Sequence, residues 1–213
     1  MEPIDLGALF FFRQQLARPW LDELMKVLTH AGDTVTLVTV AVLATVLFLL
    51  AKRPRLAMVI ALSSILGFTV ESTVKQIVER PRPEPANAAV ERPTSFSFPS
   101  GHATNSMAIY GSIGVAAAGL VRRQRRLILL VAFLLPLVIG FTRMYLGVHY
   151  LFDVVAGWTA GLACVCFAFG MERAFFGGKV EVRPVLHATI DAPEKSDAPV
   201  SDGIRPALGD IRE

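Results

Sequence analysis

Apolar residues in this chain come in long runs with few charges inside them. Five stretches, about Val35–Ala51, Leu56–Val78, Gly101–Val121, Leu127–Leu146 and Tyr150–Met171, approach the roughly 20 residues a helix needs to cross the hydrocarbon of a bilayer. A soluble five-helix bundle would need a polar stripe on each helix, and the runs Val40–Leu50 and Leu127–Ile139 have none. The pattern therefore predicts an all-α, polytopic membrane helix bundle of about five spans. Pro19–His30 differs: Trp20, Leu21, Leu24, Met25, Val27 and Leu28 alternate with Asp22, Glu23 and Lys26. That spacing predicts an amphipathic N-terminal helix lying in the interface rather than spanning it.

The punctuation divides the chain into three parts. Residues 1–32 form the interfacial segment, closed by the Gly32-Asp33 break, and 33–176 form the membrane domain. From Gly177 onward Gly, Pro, Asp, Glu and Lys replace the apolar runs, which predicts a disordered cytoplasmic tail over 177–213. The longest connection, Arg80–Pro99, holds Pro81, Pro83, Pro85, Pro93 and Pro99 and cannot be helical throughout. The start of the chain has no basic region before its short apolar patch Leu6–Phe12, unlike a secretory signal.

Composition agrees with the pattern. Apolar residues make up 53% of the 213 and charged residues only 18%, and the mean hydropathy is +0.52. Where the charge sits says more than its net value of +3. Lys52, Arg53 and Arg55, then Arg122, Arg123, Arg125 and Arg126, then Arg173, Lys179 and Arg183 all fall on one side of alternating spans. Basic loops stay in the cytoplasm. The opposite side, carrying the Arg80–Pro99 loop and the turn near Gly147, then faces away from it, as for a protein of a bacterial plasma (inner) membrane. Short juxtamembrane arginine clusters without an aromatic surface do not suit nucleic acid. Cys164 and Cys166, two apart on one helix, suit neither a disulfide nor a metal. Gly157 and Gly161 suit close helix packing, either within the bundle or between two copies, so the oligomeric state is left open.

Three motifs lie on that opposite side. Lys75 and Arg82-Pro83 put two cations at one membrane end, which suits an anion but also simple snorkelling. Pro99-Ser100-Gly101-His102 opens the third span. A helix N-terminus offers free N–H groups to phosphate, Ser100 can cap the helix, and Gly101 admits close approach. His102 can move a proton. A Ser-capped helix with an incidental histidine is the plainer alternative. Last come Arg143, His149 and Asp153. A carboxylate four residues on lies one turn away and can hold one imidazole nitrogen, leaving the other as nucleophile or base. A solvated ion pair is the alternative, but ionisable groups at span ends are costly. Alternation of the spans brings all three motifs to one membrane face: three cations, two histidines, one carboxylate and a helix N-terminus. That set suits a phosphoryl group and its transfer.

Lys75-x6-Arg82-Pro83, Pro99-Ser100-Gly101-His102 and Arg143-x5-His149-x3-Asp153 resemble the three signature motifs of the type 2 phosphatidic acid phosphatase superfamily. The resemblance covers spans two to five. It departs at Thr142, where the family usually has Ser, and the family's extra first span is shortened here to the N-terminal segment. The resemblance implies that His149 attacks phosphorus and forms a phosphohistidine, that Asp153 orients His149, and that His102 protonates the leaving alkoxide. It implies that Lys75, Arg82, Ser100, the Gly101 amide and Arg143 hold the phosphoryl oxygens. It implies no cofactor, and the single obvious carboxylate, Asp153, is fewer than a two-metal hydrolase needs. The expected partners are the bilayer and a lipid phosphate: phosphatidic acid, phosphatidylglycerol phosphate or undecaprenyl diphosphate. A phosphotransferase and a non-catalytic lipid-binding protein of the same fold are the alternatives. Glu71, one turn before Lys75, is expected to pair with it, and Tyr145 and Tyr150 to anchor at the interface.

Overall fold

The structure, a computed structural model, describes residues 2–84, 89–91 and 93–177. Among them every regular element is helical: α1 (Glu2–Phe10), α2 (Pro19–Thr29), α3 (Thr34–Leu50), α4 (Pro54–Val78), α5 (Gly101–Leu120), α6 (Arg125–Tyr145) and α7 (Leu151–Phe176). A π turn, Phe11–Leu16, continues α1, and 3-10 turns His30–Gly32 and Arg122–Gln124 lead into α3 and α6. The all-α expectation is met. The chain divides into two units, Met1–Arg183 and Pro184–Glu213. The second unit and the expected tail beyond Gly177 lie outside the described residues.

The helix ends follow local chemistry. Pro54 starts α4, where its missing N–H is no loss. Glu79 ends that helix in the left-handed conformation, its N–H reaching the Lys75 carbonyl at 3.0 Å, and Pro81 and Pro83 prevent a restart. Gly177 (φ 66°) closes α7 in the same way. Pro136 sits inside α6, and its carbonyl accepts a hydrogen bond from Trp158 Nε1 at 3.0 Å.

The exposed faces are apolar. Val35, Val42, Leu43, Leu47 and Leu50 of α3 and Leu127, Leu130, Val131 and Leu134 of α6 all point outward. Such an exterior suits hydrocarbon, not water. Among the described residues, three helical stretches are long and apolar enough to span: Pro54–Val78, Arg122–Tyr145 and Leu151–Phe176. Pro19–Gly32 and Thr34–Leu50, bent by 44° at their junction, make a fourth if they form one broken span. The expected count of about five treated α3 and α5 as separate spans. α3 has 17 residues, about 26 Å at 1.5 Å per residue, a little short of the hydrocarbon thickness. α5 reaches 20 residues but is rich in Gly, Ala, Ser, Thr and Asn.

The reason for that composition is position. α5 is the centre of the bundle, packed by α4, α6 and α7, and most of it is buried, including Thr104, Asn105, Ser106 and Ser112. A helix shielded from lipid by its neighbours needs small residues for close approach more than it needs hydropathy. Gly157 and Gly161 show this: a Cβ at Gly157 would meet Ala103 Cβ and the Ser100 carbonyl oxygen at 2.9 Å, and one at Gly161 would overlap the Thr104 carbonyl oxygen. The small-residue pair therefore packs within the bundle.

The N-terminal segment caps one end. Phe12, Leu16, Leu21 and Met25 pack against Tyr145, Leu146 and Val148 at and just beyond the end of α6. Arg13 is buried there, bonded to Asp22 (3.1 Å) and to the Tyr145 carbonyl oxygen (3.2 Å). Trp20, Leu24 and Val27 remain exposed on the other face of α2, so this helix carries apolar residues on both sides.

Candidate active site

The first turn of α7 places the central group. Asp153, wholly buried, accepts a hydrogen bond from the Tyr150 N–H at 2.9 Å, and an acid in a helix's first turn suits the dipole. The rest of the carboxylate is equally engaged. Its Oδ1 meets Arg80 at 2.5 Å, and its Oδ2 accepts Ser97 Oγ at 2.5 Å and lies 3.5 Å from His149 Nδ1. Ser97 Oγ is 3.4 Å from the same nitrogen, so hydroxyl and carboxylate together face one edge of the imidazole.

The other edge faces Arg82. Its Nη1 lies 2.9 Å from His149 Nε2 and donates to the Val148 carbonyl oxygen at 2.9 Å, while Nε and Nη2 bond the Ser95 carbonyl oxygen (2.7 Å) and Oγ (3.0 Å). A guanidinium has donors only. Nε2 must therefore present its lone pair to Arg82, and the ring proton sits on Nδ1, toward Asp153. Burial pushes the His149 pKa down to about 3; the Asp153 hydrogen bond opposes this, and Arg82 and Arg143 push it further down. The imidazole is thus neutral at ordinary pH, with a free electron pair on the nitrogen away from Asp153.

The start of α5 adjoins this pair. The Ser100 N–H donates to the Asp153 carbonyl oxygen at 2.9 Å. The expected side-chain cap is absent: Ser100 Oγ bonds nothing in its helix and is buried without a partner, leaving a hydroxyl for an incoming group. Gly101 faces α4, where a Cβ would come 2.7 Å from Glu71 Oε1. Glu71 Oε1 lies 2.5 Å from Lys75 Nζ, the pairing the sequence suggested. We predict that Glu71→Gln raises KM for the phosphorylated substrate several-fold with a smaller change in kcat, because Lys75 loses the carboxylate that positions it. Steady-state kinetics unchanged in both parameters would remove that role.

Arg143 and His102 are held from the N-terminal side. Arg143 Nη1 donates to Thr29 Oγ1 at 2.8 Å, and its Nε is buried without a partner. His102 Nε2 lies 3.1 Å from Asp33 Oδ1, and Asp33 Oδ2 lies 2.7 Å from His30 Nδ1. Hydrogen bonds therefore connect His149 to Arg82 and, through Ser97, to Asp153, whose carbonyl oxygen takes the Ser100 N–H. Lys75 is paired with Glu71, which packs against Gly101 at the start of α5. His102 and Arg143 sit at the same helix ends but are tied to Asp33 and Thr29, not to His149.

Sequence reasoning missed Arg80, Ser97, Asp5, Thr29 and Asp33. Arg80 bridges Asp153 to Asp5, whose Oδ2 is 2.6 Å away, and its guanidinium lies 4.2 Å from the Tyr150 ring centre. Burial alone would lower the Arg80 pKa; the Asp5 and Asp153 carboxylates outweigh it and raise the pKa. Asp5 Oδ1 also takes the Phe152 N–H at 3.0 Å. Arg80 stood visibly in an Arg-Pro-Arg-Pro run; the other four are single polar residues whose partners lie far along the chain. One expectation needs correction. Tyr145 is wholly buried, its hydroxyl accepting the Arg18 N–H at 3.2 Å, and Tyr150 supports Arg80; neither is a simple interfacial anchor. Thr142 Oγ1 donates to the Ile139 carbonyl oxygen at 2.6 Å, so its hydroxyl serves the helix. Among the described residues no three His, Cys, Asp or Glu side chains gather as metal ligands.

Comparison with known proteins gives three findings. The family model described as the PAP2 superfamily matches residues 54–176. Phosphatidylglycerophosphatase B of Bacillus subtilis is 29% identical over 163 residues, 74% of this chain and 78% of that protein, and an undecaprenyl-diphosphatase of Sulfolobus acidocaldarius is 26% identical over 55% of this chain and 56% of that one. The crystal structure of a transmembrane PAP2-type phosphatidylglycerolphosphate phosphatase from Bacillus subtilis superposes with a TM-score of 0.74 at 25% identity, covering 82% of this chain and 87% of that one.

Proposed function

The chain belongs to the PAP2 superfamily and is a membrane phosphatase, and on that premise we propose that it hydrolyses a lipid phosphomonoester or diphosphate through a phosphohistidine on His149, without a metal ion. The observation that carries the reading is the placement of the His149 imidazole: buried, with Nδ1 facing Asp153 and Nε2 facing Arg82.

In the first step the Nε2 lone pair attacks phosphorus, and the bond from phosphorus to the lipid oxygen breaks. His102, whose Nε2 is held by Asp33, gives that oxygen a proton it takes up when the phosphate anion binds beside it. As Nε2 becomes bonded, positive charge grows on the ring, and Asp153 stabilises it through Nδ1. Arg82 leaves Nε2 for the phosphoryl oxygens, joined by Lys75, Arg143, the Ser100 hydroxyl and the Gly101 amide. In the second step water attacks phosphorus, its proton passes to His102, and the phosphorus–nitrogen bond breaks. Inorganic phosphate leaves and His149 regains its lone pair.

Phosphatidylglycerol phosphate is the first substrate to try, because the Bacillus relative matched over most of both chains is named for it. Phosphatidic acid and undecaprenyl diphosphate complete the panel. Purified protein should release phosphate from at least one of the three, at a rate unchanged by millimolar EDTA. Dependence on a divalent ion would overturn the mechanism.

The site is also proposed to face away from the cytoplasm of a bacterial plasma membrane. Arg53, Arg55, Arg122, Arg125 and Arg173 lie at the helix ends opposite His149, which supports that orientation. In Thr94→Cys, at an exposed position of the active-site loop, an impermeant maleimide should label intact cells, with the parent protein as control. Labelling only after lysis would reverse the orientation.

A further inference from the structure

At the end of the bundle remote from His149, the starts of α4 and α6 and the ends of α5 and α7 enclose a cavity of about 300 Å³. Glu172, in the last turns of α7, lines it. The residue is 1% exposed, and neither carboxylate oxygen has a hydrogen-bond partner. A buried carboxylate without a partner is strongly disfavoured, and one near a helix C-terminus more so, because the free carbonyls there repel negative charge. Yet no arginine of the cavity hydrogen-bonds it. Arg122, Arg125 and Arg173 line the same cavity but are exposed, and Leu56 and Phe169 supply apolar wall. The cavity therefore has negative charge at its base, positive charge at its rim and apolar flanks.

We propose that this cavity binds the headgroup of a phospholipid bearing a primary ammonium, the ammonium on the Glu172 carboxylate and the phosphate on Arg122, Arg125 and Arg173. A primary ammonium has N–H groups for both empty acceptors; a quaternary ammonium has none. The order of charge along the headgroup, cation outermost and phosphate nearer the glycerol, matches the order from base to rim. The apolar helix faces beside the opening take the acyl chains, which distinguishes a lipid from a soluble amine. The site stands apart from the catalytic residues, and its existence does not depend on their assignment.

The test is native mass spectrometry of the full chain in detergent with phosphatidylethanolamine, phosphatidylcholine or phosphatidylglycerol at equal mole fraction. The parent protein should retain phosphatidylethanolamine at least about tenfold over the other two, and Glu172→Gln should abolish that preference. The double variant Arg122→Gln/Arg125→Gln should weaken retention of both phosphatidylethanolamine and phosphatidylglycerol. His149→Gln should keep the preference, since the cavity is at the other end. Thermal unfolding guards against a misfolded variant: without lipid, Glu172→Gln should melt no lower than the parent, because it removes a buried charge. Equal retention of the three lipids, a preference that survives Glu172→Gln, one lost in His149→Gln, or equal stabilisation by soluble glycerophosphoethanolamine would each overturn the proposal.

Discussion

Replacing His149 with glutamine will lower phosphate release by at least about 10⁴-fold, the scale on which removal of an attacking group acts in hydrolases. Glutamine fills similar space and can still meet Arg82, so the bundle should fold and bind lipid. What it lacks is an unprotonated ring nitrogen. Because burial holds the His149 pKa near 3, the lone pair is present throughout the physiological pH range and no separate base is needed to expose it. Brief incubation with substrate labelled in its terminal phosphate, followed by a denaturing quench in base, should leave label on the parent protein and none on His149→Gln. Label persisting on the variant would place the covalent intermediate elsewhere.

Asp153→Asn is expected to lower kcat by roughly 10³-fold or more, by analogy with the Asp-to-Asn change in serine-protease triads. The carboxylate accepts from Ser97, Tyr150 and Arg80 and faces His149 Nδ1. An amide can present an N–H to Nδ1, which moves the ring proton to Nε2, the attacking atom. That tautomer also points a donor at Arg82. KM should change less than kcat, since the phosphate-binding side chains are untouched. A second readout follows from Arg80, left with Asp5 alone: with one of its two carboxylates gone, the variant should melt lower than the parent in the same detergent. A variant with parent-like kcat would show that Asp153 only caps α7.

The helical class was legible because apolar runs of spanning length admit few other structures. The number of spans was less legible, because hydropathy reports the solvent a helix meets and α5 meets mainly other helices. The motif residues could be read because their spacing within α7 and across the Pro-rich loop is fixed by short local geometry. The partners of those residues were hidden. Asp33 reaches His102 across 69 positions, Thr29 reaches Arg143 across 114, and Asp5 bonds the Phe152 N–H across 147. No periodicity marks a lone polar residue that matters only through a distant one. Ser100 taught the converse: its place before a helix announced a cap, yet the structure leaves the hydroxyl unused by the helix.

The bridge from Asp153 through Arg80 to Asp5 bears on what counts as the transferable unit. The family match begins at residue 54, but Asp5, Thr29 and Asp33, which brace three of the charged groups at the site, all precede it. A graft defined by the matched segment would carry every motif and leave Arg80, Arg143 and His102 without these braces. Chimeras between relatives should therefore exchange the first 53 residues together with the membrane core, because the two halves have been fitted to each other at single side chains.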